Sequence, residues 1–248
     1  MTEPPPDLAE RLGAAGFIAA PEEAADLWAA AAGDRAVAES LLARRLTGEP
    51  LAWITGFHDF CGVRLRIAPG VYVPRPQTEL IARRAVELLP PDGVAIDLCT
   101  GSGAIAAVLR AARPAARVHA TDADGRAVAC ARDNGVDAHL GDLFAPLPDI
   151  GADVVTAVAP YVPSPELGLL HRDTLAFESA GHYDGGPDGL AVARRVVAAA
   201  PARLRPGGTL LLELGAGQPE RLAGAGLRLV AVLRDEDGDV RGAELQSS

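Results

Sequence analysis

The sequence predicts a doubly wound α/β fold with a mostly parallel sheet. Three observations carry this. Val94 to Leu98 is an apolar run followed by Gly101-Ser102-Gly103 and then an Ala-rich apolar run, which reads as strand, glycine turn and helix. Strand-like and helix-like segments alternate from there to about residue 214, as parallel sheets require. The tail reads as an antiparallel hairpin, Leu227–Leu233 and Arg241–Leu245 around Asp235-Glu-Asp-Gly-Asp239.

Residues 7 to 47 read as helical, with Leu8, Leu12, Ala15 and Ile18 at helical spacing. Pro21-Glu-Glu opens a second helix, and Gly33-Asp34 breaks the run with Asp34 as an N-cap. From Ala52 to Gly62 a short hairpin or loop is expected, and Val63–Ile67 alternates like a strand. Val71–Pro76 is extended, because a residue before proline is pushed out of the helical region. Thr78–Leu89 is the next helix. The remaining strands are Val118–Thr121, Asp137–Leu140, Asp153–Val158 and Thr209–Leu214. A helix over Gly189–Leu204 is ended by Pro206-Gly207-Gly208. With the tail, the main sheet has seven strands. The expected organisation is a small helical domain over 1–49, a linking hairpin and extended segment over 50–76, and a main α/β domain over 77–248.

Half the chain is apolar (49 %), enough for a substantial core, and the net charge is −10. With no Lys in the sequence and a pI near 5.0, a nucleic-acid or anionic-membrane surface is not expected. Cys61, Cys99 and Cys130 show no metal-ligand spacing, so no metal is expected, and they read as free thiols in a reducing cytoplasm. The first residues have neither the basic nor the apolar region of a signal peptide.

The glycine turn lets the backbone approach a ligand closely, and the helix N-terminus behind it presents free N–H groups. The spacing is not Gly-x-Gly-x-x-Gly, since Ile105 and Ala106 fill the last glycine's place. Asp122 ends the next strand, roughly 20 residues on, where an acid reaches ribose hydroxyls. Gly141-Asp142-Leu143-Phe144 puts another acid at a strand's carboxyl end. Together these point to a nucleoside-containing cofactor. The fourth strand runs into Val158-Ala159-Pro160-Tyr161-Val162-Pro163, a loop placed where a substrate would lie over that cofactor.

With these pieces the chain resembles the protein-(glutamine-N5) methyltransferases of the HemK/PrmC type, which methylate peptide-chain release factors. The marks are Gly48-Glu-Pro-Leu-Ala-Trp-Ile-Thr-Gly56, Val73-Pro-Arg-Pro-Gln-Thr-Glu79, Asp97-Leu-Cys-Thr-Gly-Ser-Gly103, Gly141-Asp-Leu-Phe144 and Asp184-Gly-Gly-Pro-Asp-Gly189. The family's helical N-terminal domain is shortened here. The resemblance implies a Rossmann-like class I fold dependent on S-adenosylmethionine (SAM). It implies that Asp97, Thr100, Gly101, Ser102, Gly103 and Ile105 hold the methionine part. Asp122, with Ala123 beside it, would take the ribose hydroxyls, and Asp142 and Leu143 would flank the adenine. Pro74, Arg75 and Thr78 would close over the cofactor.

Two departures stand out. The family's Asn-Pro-Pro-Tyr is Val158-Ala159-Pro160-Tyr161 here, and its Phe-Glu-Pro is Phe177-Glu178-Ser179, followed by Gly181-His182-Tyr183. The Asn oxygen and a backbone carbonyl accept the two hydrogens of a substrate amide; valine accepts none. Three readings therefore stay open. One is a glutamine methyltransferase with an altered or relaxed substrate, acting on a release factor or other protein through Pro160 and Tyr161. Another is a small-molecule methyltransferase with His182, Tyr183 or His58 as base. The last is a non-catalytic homologue.

Overall fold

The structure, a computed structural model, describes residues 3–170, 176–222 and 226–247. Met1 and Thr2, on which the reading of the N-terminus partly rests, lie outside them.

Three helices open the chain: α1 Pro6–Ala14, α2 Ala20–Ala30 and α3 Arg35–Arg45. Asp34 caps α3 as expected, its Oδ1 accepting from Ala36 N at 2.8 Å and Val37 N at 3.1 Å. Leu8, Leu12, Ala24, Leu27, Ala38 and Leu42 meet in one apolar cluster. The expected continuation through Ala15 and Ile18 fails. α1 stops at Ala14 because Gly16 adopts φ +92°, and Ile18 is left fully in solvent.

The next stretch corrects a second expectation. Leu51–Thr55 is a short helix, α4, and not hairpin or loop. Pro50 presets its first turn, Gly56 ends it in the left-handed region (φ +80°), and the Trp53 indole donates to the Val71 carbonyl at 2.9 Å. Leu51 and Ile54 join the cluster of the three opening helices. The hairpin follows: β1 Phe57–Phe60 pairs with β2 Val63–Arg66 across Cys61 and Gly62, both at positive φ as such two-residue turns demand.

A 3₁₀ turn over Pro76–Thr78 leads into α5, Glu79–Leu88. Then come β3 Val94–Leu98, α6 Ala104–Ala112, β4 Arg117–Asp122, α7 Gly125–Asp133, β5 Asp137–Leu140, β6 Ala152–Ala157 and α8 Ala191–Ala199. β7 Leu204–Glu213, β8 Leu227–Arg234 and β9 Val240–Ser247 close the chain. The main sheet has seven strands in the order β5-β4-β3-β6-β7-β9-β8. The first five are parallel, and the β8–β9 hairpin adds antiparallel to β7.

All five residues of β3 are buried, and they alternate between two apolar layers. Ala95 faces the layer of α5, α6 and α7, while Val94, Ile96 and Leu98 face the layer of α8. A strand covered on both faces needs the apolar run seen in the sequence, which only Asp97 interrupts. The helix expected over Gly189–Leu204 is shorter than predicted. Pro206-Gly207-Gly208 does not end it but lies within β7, whose pairing with β6 jumps from Ala152↔Leu204 to Val154↔Thr209. Proline, lacking an N–H, fits that irregularity.

The chain leaves β3 toward β4 and β5, then crosses back to β6 on β3's other side. Ligands bind outside the carboxyl ends of the strands at such a reversal. Among the described residues no helix is long and apolar enough to cross a membrane.

Candidate functional site

A cavity of about 590 Å³ opens at this reversal. Small-molecule pockets span roughly 300–1,000 Å³. Almost every residue singled out in the sequence lines it: Pro74, Arg75 and Thr78; Asp97, Thr100, Gly101, Ser102 and Ile105; Asp122 and Ala123; Asp142 and Leu143; Val158, Ala159, Pro160 and Tyr161; and His182. Gly103 and His58 do not, and Gly103 has a packing reason. It starts α6 at φ +80°, and a Cβ there would sit 3.0 Å from Ala131 Cβ and Val136 Cγ2. Its role is to let α6 pack against α7 behind the cavity wall.

Asp97, next to last in β3, is buried inside the protein. Its two oxygens accept hydroxyl hydrogens from Thr100 at 2.5 Å and Thr156 at 2.6 Å. Burial outweighs those hydrogen bonds and lifts its pKa to about 6. The turn beyond it places Cys99 at φ +54° and Gly101 at φ +56°. Cys99 is therefore strained, a cost that the surrounding structure must over-determine. Burial pushes the Cys99 thiol upward, so it stays protonated near neutrality.

Asp122 crosses to the same turn. Oδ2 accepts from Gly101 N and Oδ1 from Asp124 N, both at 2.9 Å. Desolvation raises its pKa, partly offset by those two amides. Each carboxylate oxygen keeps acceptor capacity toward the cavity. Asp142 lines the cavity with its carboxylate 61 % exposed and paired with Arg195 of α8. Leu143, at φ +47°, lines the cavity beside it.

Arg75 lines the cavity, but its charge is already matched. The guanidinium pairs with buried Glu178, donates to Tyr183 Oη at 2.7 Å and lies over the Tyr72 ring. Glu178 also accepts from Val73 N at 3.2 Å and from the Tyr183 hydroxyl. This network clamps the Val71–Thr78 segment onto the segment carrying His182. The Thr78 hydroxyl donates to buried Glu213 at 2.6 Å.

The loop after β6 is pinned from behind. The Tyr161 carbonyl accepts from Gln218 Nε2 at 2.8 Å, and Val162 N donates to the Tyr183 carbonyl at 2.9 Å. The Asp184–Gly189 motif has a packing reason: a Cβ on Gly185 would fall 2.6 Å from the Pro160 oxygen. The Tyr161 phenol stands beside Glu213 and Gln77 and is kept neutral by burial. Val158, where the resemblance expects an amide, is an apolar part of the wall.

His182 faces the cavity and packs edge-on against Tyr72, with its Nδ1 buried and without a hydrogen-bond partner among the described residues. Tyr183 also lines the cavity, though its hydroxyl is held by Glu178. His58 sits on β1 and is not part of the lining. Sequence reading missed Tyr72, Gln77 and Arg195. Tyr72 and Gln77 were findable inside the Val71–Thr78 stretch; nothing local marks Arg195, which only the fold brings to Asp142.

The lining fits SAM. Asp122 at the wall and Asp97 buried behind it add negative charge, which suits a ligand carrying an ammonium and a sulfonium, and apolar Ile105 and Leu143 can flank a base. Ser102 Oγ, buried in the wall, lacks a hydrogen-bond partner among the described residues.

Comparisons with known proteins agree. Residues 69–155 match the family model described as Methyltransferase small domain. The release factor glutamine methyltransferase of Geobacter sulfurreducens is 37 % identical over 195 residues, covering 76 % of this chain and 69 % of the relative. That of Cereibacter sphaeroides is 38 % identical over 212 residues, covering 81 % and 75 %. Among solved structures, a methyltransferase from Pyrococcus furiosus gives a TM-score of 0.55 at 19 % identity, over 84 % of this chain and 98 % of that one. A ribosomal protein L11 methylase from Lactobacillus delbrueckii gives 0.53 at 16 % identity, over 74 % and 86 %. These two likenesses speak to fold.

Proposed function

The chain belongs to the release factor glutamine methyltransferase family, whose members here are 37–38 % identical over most of its length, and on that premise we propose that it methylates the side-chain amide of a glutamine in a peptide-chain release factor in the cytoplasm. It is a SAM-dependent methyltransferase. One observation carries the finer reading: the Val158–Tyr161 loop, the glycine turn and Asp122 wall a single chamber. Acceptor and cofactor would therefore meet in one place.

SAM, when bound, supplies a methyl group on a good leaving group. Asp122 would hold its ribose, the turn at Gly101 and Ser102 its methionine part, and Asp97 would add negative charge near its cationic end. What remains for the protein is orientation, since a positioned nucleophile needs no further activation of the methyl donor. An amide nitrogen is a weak nucleophile, because its lone pair is delocalised into the carbonyl. The Ala159 carbonyl can accept one of its hydrogens. Val158 can accept none, so the second hydrogen needs another partner or goes unheld. Tyr161 and Pro160 would wall the amide, with the phenol neutral. The expected outcome is a slow enzyme on a glutamine, or one whose acceptor differs in shape from that of its relatives.

The test is transfer of a labelled methyl group from SAM to release factors prepared without the modification. Label on one glutamine, lost in Tyr161→Ala, supports the reading. No label on either factor, with label on small amines or phenols instead, overturns it in favour of a small-molecule acceptor.

A further inference from the structure

Away from the cavity, His119, Asp137 and His139 meet on the edge of the main sheet. The register pairs His119 with Asp137 and Thr121 with His139, so strand alternation puts all three side chains on one face. His119 Nδ1 lies 2.8 Å from Asp137 Oδ2, and His139 Nε2 lies 3.2 Å from Asp137 Oδ1. The candidate donor atoms all lie within 4.8 Å of one another. We propose that this cluster is a divalent transition-metal site tying the edge strand β5 to β4.

The donor set decides the class of ion. Two imidazole nitrogens with one carboxylate suit zinc, nickel or copper, whereas magnesium and calcium take oxygen ligands. Bonds of about 2.0–2.2 Å place tetrahedral ligand atoms about 3.4 Å apart, close to the 2.8 and 3.2 Å separations from Asp137 seen here. A second observation separates the site from an ordinary His–Asp pair. A hydrogen bond to Asp137 accounts for His119. His139 Nε2, however, is shielded from solvent and, among the described residues, meets only the Asp137 carboxylate, 3.2 Å away and out of line for a well-formed hydrogen bond. A buried nitrogen left poorly paired in this way needs a reason. A cation between it and the carboxylate satisfies both.

The location gives the site its purpose. β5 is four residues long and, among the described residues, has β4 as its only neighbour in the sheet. These two strands run directly into Asp122 and into Gly141-Asp142-Leu143, which line the cavity. An ion across them would hold that rim in register. The spacing His119…Asp137…His139 resembles no linear metal motif; register, not sequence proximity, assembles it.

The experiment uses the full chain with any purification tag removed, stripped with a chelator and dialysed. Zinc is titrated by calorimetry, cobalt by visible absorption, and melting temperature is followed with and without zinc. One equivalent of zinc should bind and raise the melting temperature. Cobalt should give d–d bands without thiolate charge transfer, which excludes the three cysteines. His119→Gln with His139→Gln should lose all three responses, and so should Asp137→Asn if the double variant fails to fold. No zinc binding, a thiolate band, or binding unchanged in these variants overturns the proposal.

Discussion

Gly189 stands directly against the Tyr161 carbonyl: a Cβ at that position would come within 2.2 Å of the Tyr161 oxygen and 2.4 Å of Gln218 Nε2. Gly189 also takes φ +75°, a region alanine enters only with strain. The glycine-rich segment is thus the back plate of the acceptor loop. Gly189→Ala should push Tyr161 forward and lower kcat about a hundredfold, the scale of a 1 Å misplacement. SAM affinity, measured by calorimetry, should change little. Equal losses in both would mean that the loop and the cofactor site move as one body.

Val158→Asn tests the altered clamp. Restoring an acceptor should raise amide methylation by about 10²-fold, the usual worth of one hydrogen bond made in a transition state. Single-turnover transfer to a release factor is the readout. An unchanged rate would show that the chamber has been reshaped for another acceptor.

Asp122→Asn should weaken SAM binding about tenfold to a hundredfold, the range for losing a charged hydrogen-bond partner. The amide keeps the shape but cannot accept on both sides, and the Gly101 and Asp124 amides then compete with the ligand for one oxygen. Calorimetry of SAM and of its demethylated product should show similar losses, because the ribose is common to both.

The pH dependence follows from Asp97, whose pKa is raised to about 6 in the folded chain. A cationic ligand favours the ionised form, so SAM affinity should fall as pH drops from 7 to 5, approaching tenfold per unit below the pKa. In Asp97→Asn the profile over this window should be flat. Without ligand the sign reverses. The folded chain holds this proton more tightly than the unfolded one, so Asp97's contribution to stability is full below about pH 4 and is lost as pH rises through 6. Thermal melts across that range check it.

Arg75→Met removes the partner of Glu178, whose side chain is only 2 % exposed. An uncompensated buried carboxylate costs about 3–5 kcal/mol. Denaturant unfolding should show a loss on that scale at pH 7. Arg75→Met with Glu178→Gln should recover much of it, since the charge is then gone.

The sequence by itself determined the layering and the cofactor chamber. An apolar run buried on both faces, glycines at positive φ and acids closing β3 and β4 are local demands, and local demands are written in adjacent residues. That is why the turn at Gly101, Asp122 and the loop at Tyr161 are all legible in the sequence. Other features are set by contacts between residues far apart in the chain. Leu51–Thr55 turned helical because its apolar side chains found the opening helices and the Val71 carbonyl. Pro206–Gly208 became an irregularity inside a strand because Leu204 before it and Thr209 after it both found β6. Arg195 reached Asp142, Gly189 backed Tyr161, and His119 met His139 through strand register. Only the tertiary structure could decide these, because packing and register fix which distant residues become neighbours.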